Sequence, residues 1–315
     1  MAVAVAGEGP GRPDIHPGFW NMAAGAPPGQ ASGMTKETVL VIGGTGKTGR
    51  RVVARLQEQG VETRVASRSS EIPFDWADPG TWEGALDGVT AAYIVPYDIS
   101  PSPTPALVER AVASGVRRLV LLSARGVDVP GYFGAAYDGD GPHVQGETAV
   151  RASGVEWTIL RPGWFAQNFS EGIFHDGVTG GELALPTGDG TAAFVDAEDI
   201  AAVAVAALTE DGHQGQVYEL SGTRALGIAD VLAEIAGVTG LRARYVPVAE
   251  DEFRAGLVAQ GFPAEEAEVW TDALKPIRTS MEAPVVDGVR RALGRAPRDF
   301  TDFVRDAAAG GAWQV

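Results

Sequence analysis

From Met34 onward, short apolar runs alternate with longer stretches in which apolar side chains recur every three or four positions. The short runs, Val39–Ile42, Thr63–Ser67, Ala91–Val95, Arg118–Ser123 and Trp157–Leu160, predict β-strands. The stretches between them, Gly46–Gln59, Pro79–Leu86, Pro105–Ser114 and His143–Ala152, predict helices. Gly60 and Gly115 stand where helices should stop, and Pro105 suits a first turn, where its missing N–H costs nothing. Strand and helix in strict alternation is the signature of a parallel sheet with helical crossovers. The predicted fold class is therefore α/β, a doubly wound parallel (Rossmann) sheet.

Further on, "PTGDGTAAFVDAEDIAAVAVAALTE" reads as a turn, a short strand at Ala193–Val195 and a helix opened by acidic residues, followed by a strand at Gln216–Leu220. After Ser221 the pattern turns helical, with Ile228–Ala236, Glu250–Gln260, Ala264–Leu274 and Pro297–Ala309. The expected organisation is a dinucleotide-binding domain over 34–168, completed by 191–222. A smaller, mostly helical substrate lobe is expected from 169–190 and 223–315. The first 33 residues are rich in Gly, Ala and Pro, lack periodicity and are expected to form a flexible tail.

Composition narrows the choices of partner. No apolar run approaches the ~20 residues of a membrane helix, and mean hydropathy is zero. A net charge of −16 without a Lys/Arg cluster argues against nucleic acid and anionic membranes. With no cysteine, disulfides, thiolate metal sites and a cysteine nucleophile are excluded. The four histidines, His16, His143, His175 and His213, show no metal-binding spacing, so no bound metal is expected. Lacking an export or anchoring signal, the chain is expected to be cytoplasmic.

One stretch decides the ligand class. "VIGGTGKTGR" holds the Gly-Lys-Thr that ends a triphosphate loop, but the glycine which must precede it by five positions is Val41, inside the first strand. Gly43, Gly46 and Gly49 instead form Gly-x-x-Gly-x-x-Gly between a strand and a helix. That spacing allows the tight turn, backbone approach to a pyrophosphate and close helix–strand packing. The amides of the helix N-terminus then face the anion. At the end of the second strand, "RVASRSS" places Ser67, Arg68 and Ser69 where an acid would bind a ribose 2′-hydroxyl. A guanidinium there suits a 2′-phosphate, so the expected cofactor is NADP(H).

Together, "VLVIGGTGKTGRRV", "ASRSS", "FDWADPGTW", "VRRLVLLSARG", "ASGVEWTILRPGWFAQNF", "FVDAEDIAAVAVAALTE" and "APRDFTDFVRD" resemble the NmrA-like atypical short-chain dehydrogenase/reductases over about Glu37 to Asp306. The likeness is to members related to ergot-alkaloid iminium reductases and NAD(P)H:quinone reductases. It implies that Gly43, Thr45, Gly46, Lys47 and Thr48 line the pyrophosphate and that Arg68 meets the adenosine phosphate. Asp75 and Trp76 would lie beside adenine, and Val95, Pro96, Tyr97 and Ser123 near the nicotinamide ribose. Pro162, Gly163 and Trp164 would come to the carboxamide side. Trp157 and Phe194 are expected in the core.

Many short-chain reductases protonate their product with a Tyr-x-x-x-Lys pair. The only lysines are Lys36, Lys47 and Lys275, preceded four residues earlier by Ser32, Gly43 and Thr271, so that pair is absent. In "YFGAAYDGDGPHVQGETAV", His143 takes the expected lysine position and Gly139 that of the tyrosine. Tyr137, Asp138, His143 and Ser123 are the remaining catalytic candidates. An iminium acceptor needs no acid, because hydride addition leaves a neutral amine. Tyr97, Tyr132, Phe133, Trp164, Phe165, Phe174 and Trp270 are candidates for an aromatic acceptor pocket. The function read from the chain is an NADPH-dependent reductase of a small cyclic or aromatic C=O or C=N substrate, with a homo-oligomer compatible. The alternative is a non-catalytic NAD(P)-sensing regulator with a protein partner. A hydrolase lacks a Gly-x-Ser-x-Gly motif.

Overall fold

The computed structural model describes residues 37–97, 100–133 and 141–314. The first half alternates β1 (Thr38–Ile42), α1 (Gly49–Glu58), β2 (Glu62–Ala66), α2 (Trp82–Leu86), β3 (Ala91–Ile94), α3 (Thr104–Ala113), β4 (Arg118–Leu122), α4 (Pro142–Ala152) and β5 (Glu156–Pro162). Then come α5 (His175–Thr179), β6 (Glu182–Leu185), β7 (Thr191–Ala192), α6 (Ala197–Thr209) and β8 (Gln216–Leu220). The remainder holds β9 (Leu226–Gly227), α7 (Ile228–Thr239), β10 (Arg244–Pro247), α8 (Glu250–Ala259), α9 (Ala264–Ala273), α10 (Lys275–Arg278), α11 (Gly288–Leu293) and α12 (Phe300–Ala309).

Six strands form one parallel sheet in the order β2-β1-β3-β4-β5-β8. Its central strands are apolar at consecutive positions because helices cover both faces. Val39, Val41, Tyr93, Val120, Leu122 and Leu160 meet α1, α6 and α11, while Leu40, Ile42, Ile94, Leu119, Leu121 and Ile159 meet α2, α3 and α4. The chain leaves β1 for β2 on one side and returns to β3 on the other. This switch opens a crevice beyond the carboxyl ends of the strands, the position at which such sheets bind ligands.

A third apolar cluster, with Phe169, Phe174, Phe194, Phe300, Phe303 and Trp313, binds α5, α7 and α12 together beyond the carboxyl edge. This part carries two small sheets that the apolar pattern did not show, parallel β6–β10 and antiparallel β7–β9. The strand expected at Ala193–Val195 is displaced. β7 ends at Ala192, Val195 makes only an isolated bridge to Phe165, and the Ala193 amide donates to the Glu282 carbonyl. Backbone partners drawn singly from three segments replace a ladder there. Helix α1 starts at Gly49 instead of Gly46, since Gly46–Thr48 belong to the turn. Among the described residues no helix is long and apolar enough to cross a membrane.

Candidate active site at the carboxyl edge

Each glycine of the β1–α1 turn has its own steric reason. Gly43 has φ +74°, a left-handed conformation that costs glycine nothing. A Cβ on Gly46 would lie 3.2 Å from the Gly43 carbonyl oxygen, and one on Gly49 only 2.1 Å from it. Thus the first glycine bends the chain and the third lets helix and strand close. The Gly46 amide donates back to Gly43 (2.9 Å). Among the described residues no acceptor takes the amides of Thr45, Lys47 or Thr48. Thr48 faces inward beside the buried Tyr93 phenol, whose pKa burial raises. The loop is a cradle of free N–H groups at a helix start, which fits a pyrophosphate.

Lys47 does not run out to solvent. Its Nζ donates to Asn168 Oδ1 (2.9 Å), and burial lowers its pKa, with the Glu171 carboxylate opposing. Arg50 and Arg51 pair with Glu171 as well, so the first turn of α1 is tied to the segment that follows β5.

At the nucleoside end, an open cleft of about 460 Å³ follows the outer edge of β2 and is lined by Thr45, Ser67, Ser69 and Ser70. Ser70 Oγ closes the turn by accepting from the Ser67 amide (3.0 Å). Arg68 and Ser69 are exposed, and among the described residues Arg68 has no ion-pair partner. Asp75 is occupied with the backbone, accepting from the Ala77 amide (2.9 Å), and Trp76 packs edge-on to Phe74. Val95 sits beneath Gly43, Pro96 follows it half-buried, and Tyr97 is 46% exposed.

Around the end of β4, Ser123 is buried and its hydroxyl donates to Glu147 Oε1 (2.7 Å). Glu147, one turn beyond His143 on α4, is gripped by both Nε and Nη2 of Arg161 at 2.7 Å, and Arg161 Nη1 reaches Asp128 at 2.7 Å. Burial works against the charged Glu147, but the Arg161 and Ser123 hydrogen bonds outweigh it and hold its pKa below the usual carboxylate range. Glu147 and Arg161 thus form a buried ion pair beneath the end of β4. Ser123 has its proton committed to that pair. His143 is half-buried in the first turn of α4, whereas Tyr137 and Asp138 lie outside the described residues.

The loop after β5 continues the sheet, with the Gly163 amide donating to Leu220 (2.9 Å). It then turns Trp164 onto Phe174, with ring centroids 5.6 Å apart at 15°. Pro162 is buried at the end of β5. Of the aromatic candidates, Tyr132 and Phe174 are buried, only 4% and 2% exposed. Phe165 packs on the α1–α6 side of the sheet, Phe133 lies edge-on to Tyr132, and Trp270 is half-buried on α9. The residues missed by sequence reading are Glu147, Arg161, Asn168, Glu171 and Glu282. Only Arg161 left a signal, as a charge at an inward position of the buried run "TILRP".

A doubly wound sheet with an amide-lined glycine turn, an exposed arginine at the end of β2 and a lobe over the carboxyl edge fits a dinucleotide-binding protein. The NAD(P)H-binding family model matches residues 43–211, more than half of the chain. An NAD(P)H azoreductase from Xenophilus azovorans is 32% identical over 86% of this chain and 98% of its own length. An agroclavine dehydrogenase from Claviceps fusiformis is 31% identical over 85% and 96%. The Escherichia coli quinone oxidoreductase complexed with NADPH superposes with a TM-score of 0.71, at 22% identity over 85% of this chain and 99% of that one. The chain belongs to the NAD(P)H-binding family and, within it, to the NmrA-like atypical short-chain dehydrogenase/reductases; it is an NAD(P)H-dependent oxidoreductase.

Proposed function

We propose that the protein is an NADPH-dependent reductase of small cyclic or aromatic C=O or C=N acceptors. The observation that carries the cofactor choice is the exposed Arg68, without an ion-pair partner among the described residues and flanked by the hydroxyls of Ser67 and Ser69 at the end of β2. A 2′-phosphate there gains bidentate pairing, whereas a ribose hydroxyl finds no carboxylate until Glu71. The amides of Thr45, Lys47 and Thr48 would hold the pyrophosphate, with Gly43, Gly46 and Gly49 keeping side chains away. Pro162, Gly163 and Trp164 would flank the carboxamide side. Bound there, the dihydronicotinamide supplies the hydride. The names of the relatives, an azoreductase and an alkaloid dehydrogenase, support a conjugated, flat acceptor.

The polar groups at the end of β4 make C=N acceptors the easier substrates. Ser123 is bound to Glu147, so the residues placed for proton donation reduce, among the described residues, to His143 in the first turn of α4. An iminium ion becomes a neutral amine without an acid, whereas a ketone needs a proton delivered to its oxygen.

Two measurements test this reading. Arg68→Ala is expected to weaken NADPH by about 10- to 100-fold, the worth of charge-assisted hydrogen bonds, with little change for NADH. Equal losses for the two, followed by fluorescence titration, would remove the NADPH assignment. His143→Ala is expected to slow reduction of a neutral ketone by about 100-fold while sparing an iminium acceptor. Unchanged ketone turnover would strike His143 from the mechanism.

A further inference from the structure

Glu282 is 1% exposed and lies between α10 and α11, where the extensions of several strands meet. Arg125 N donates to the Pro162 carbonyl (3.0 Å), Gly163 N to Leu220 (2.9 Å) and Ala193 N to the Glu282 carbonyl itself (2.9 Å). The Glu282 side chain reaches two loops from this crossing. Oε1 accepts the Tyr132 hydroxyl at 2.7 Å. The Tyr132 ring covers Gly126, where a Cβ would come within 2.4 Å of it, so loop 126–133 is folded around this phenol.

Oε2 occupies the space above the Gly163 α-carbon, where a Cβ would lie 2.3 Å away, and stands beside the Trp164 amide without hydrogen-bond geometry. The Arg125 guanidinium keeps 3.9 Å from Oε2 and gives its Nη1 to the Pro284 carbonyl (2.9 Å). Burial therefore raises the pKa of Glu282, and the Tyr132 hydrogen bond and the Arg125 charge counter it only in part. A buried carboxyl group, bonded to Tyr132 and packed over the Gly163 α-carbon, thus stands between the loops after β4 and β5.

We propose that Glu282 is a positioning residue for hydride transfer: through Tyr132 and the Gly163–Trp164 turn it fixes the separation of the loops after β4 and β5. One hydrogen-bonded carboxyl group thereby sets both the carboxamide side of the cofactor site and the Trp164–Phe174 wall of the acceptor site. The assignment rests on the reductase reading only where it places the carboxamide beside Trp164.

The test compares Glu282→Ala, Glu282→Gln and Tyr132→Phe in the full chain. Amide hydrogen exchange is measured on the free protein, and turnover and NADPH affinity on an iminium acceptor. Glu282→Ala is expected to speed exchange by about tenfold or more in segments 126–133 and 162–166, leaving 43–49 unchanged. It should lower kcat by about 10- to 100-fold, the effect of a misplaced reacting atom, with NADPH affinity held within about threefold. Glu282→Gln, which still accepts from Tyr132, should restore both. Should the alanine variant fail to fold, Tyr132→Phe must accelerate exchange in the same two segments. Exchange that is unchanged or uniformly raised across the sheet, kcat equal to that of the parent, or a glutamine variant no better than alanine would each overturn the assignment. Exchange needs no acceptor, so a parent protein inert towards every substrate would refute the reductase reading while the exchange data still decide the role of Glu282 as a lock.

Discussion

Replacing Gly49 by alanine is expected to abolish measurable NADPH binding and to lower the melting temperature by about 5 °C or more. The added Cβ would lie 2.1 Å from the Gly43 carbonyl oxygen, 2.7 Å from its carbon and 2.8 Å from the Gly44 α-carbon. All three are backbone atoms, so no side-chain rotation relieves the clash. The same carbonyl accepts from the Gly46 amide, and moving it undoes the turn that presents the free amides. Overpacking of this kind costs about 1–3 kcal/mol, and more where backbone must shift. Gly46→Ala is the informative control. Its Cβ would meet only the Gly43 oxygen, at 3.2 Å, so it should lose cofactor affinity with a far smaller change in melting. Scanning fluorimetry with and without NADPH reads both, and a Gly49→Ala protein binding NADPH within about twofold of the parent would refute the role of this contact.

The glycine turn was legible because its constraint is local. Three glycines at fixed spacing encode a bend, an approach and a close packing, and the atoms that crowd a Cβ at Gly46 and Gly49 belong to Gly43 and Gly44. The sheet was legible for a related reason, since strands buried on both faces must be apolar at consecutive positions. The polar network around the site depends on distant partners instead. Lys47 meets Asn168 across 121 positions and Tyr132 meets Glu282 across 150. No spacing rule connects such pairs before the chain is folded. Aromatic content misled for another reason: the area of a ring shows that it will be buried, but not which side of a wall it will occupy. Tyr132 and Phe174, expected to line the acceptor pocket, are buried instead.

Replacing Glu147 by leucine is expected to destabilise the protein by about 3–5 kcal/mol, because it strands the buried Arg161 guanidinium with Asp128 alone and leaves the Ser123 hydroxyl without its acceptor. The double variant Glu147→Leu/Arg161→Met should recover much of that loss, since replacing both members of a buried pair by apolar side chains of similar volume avoids an uncompensated charge. Acidity supplies an independent check. The native pKa of Glu147 lies below the ordinary 4.5, because Arg161 and Ser123 overcome the cost of burial. Its contribution is thus fully present above the unfolded-state pKa and is lost as pH falls through the native one. The gap in unfolding free energy between parent and Glu147→Leu should therefore narrow as pH drops below about 4. Urea unfolding from pH 3 to pH 7 measures it; a gap that stays constant or widens in acid would show that Glu147 is not held as a carboxylate in the folded protein.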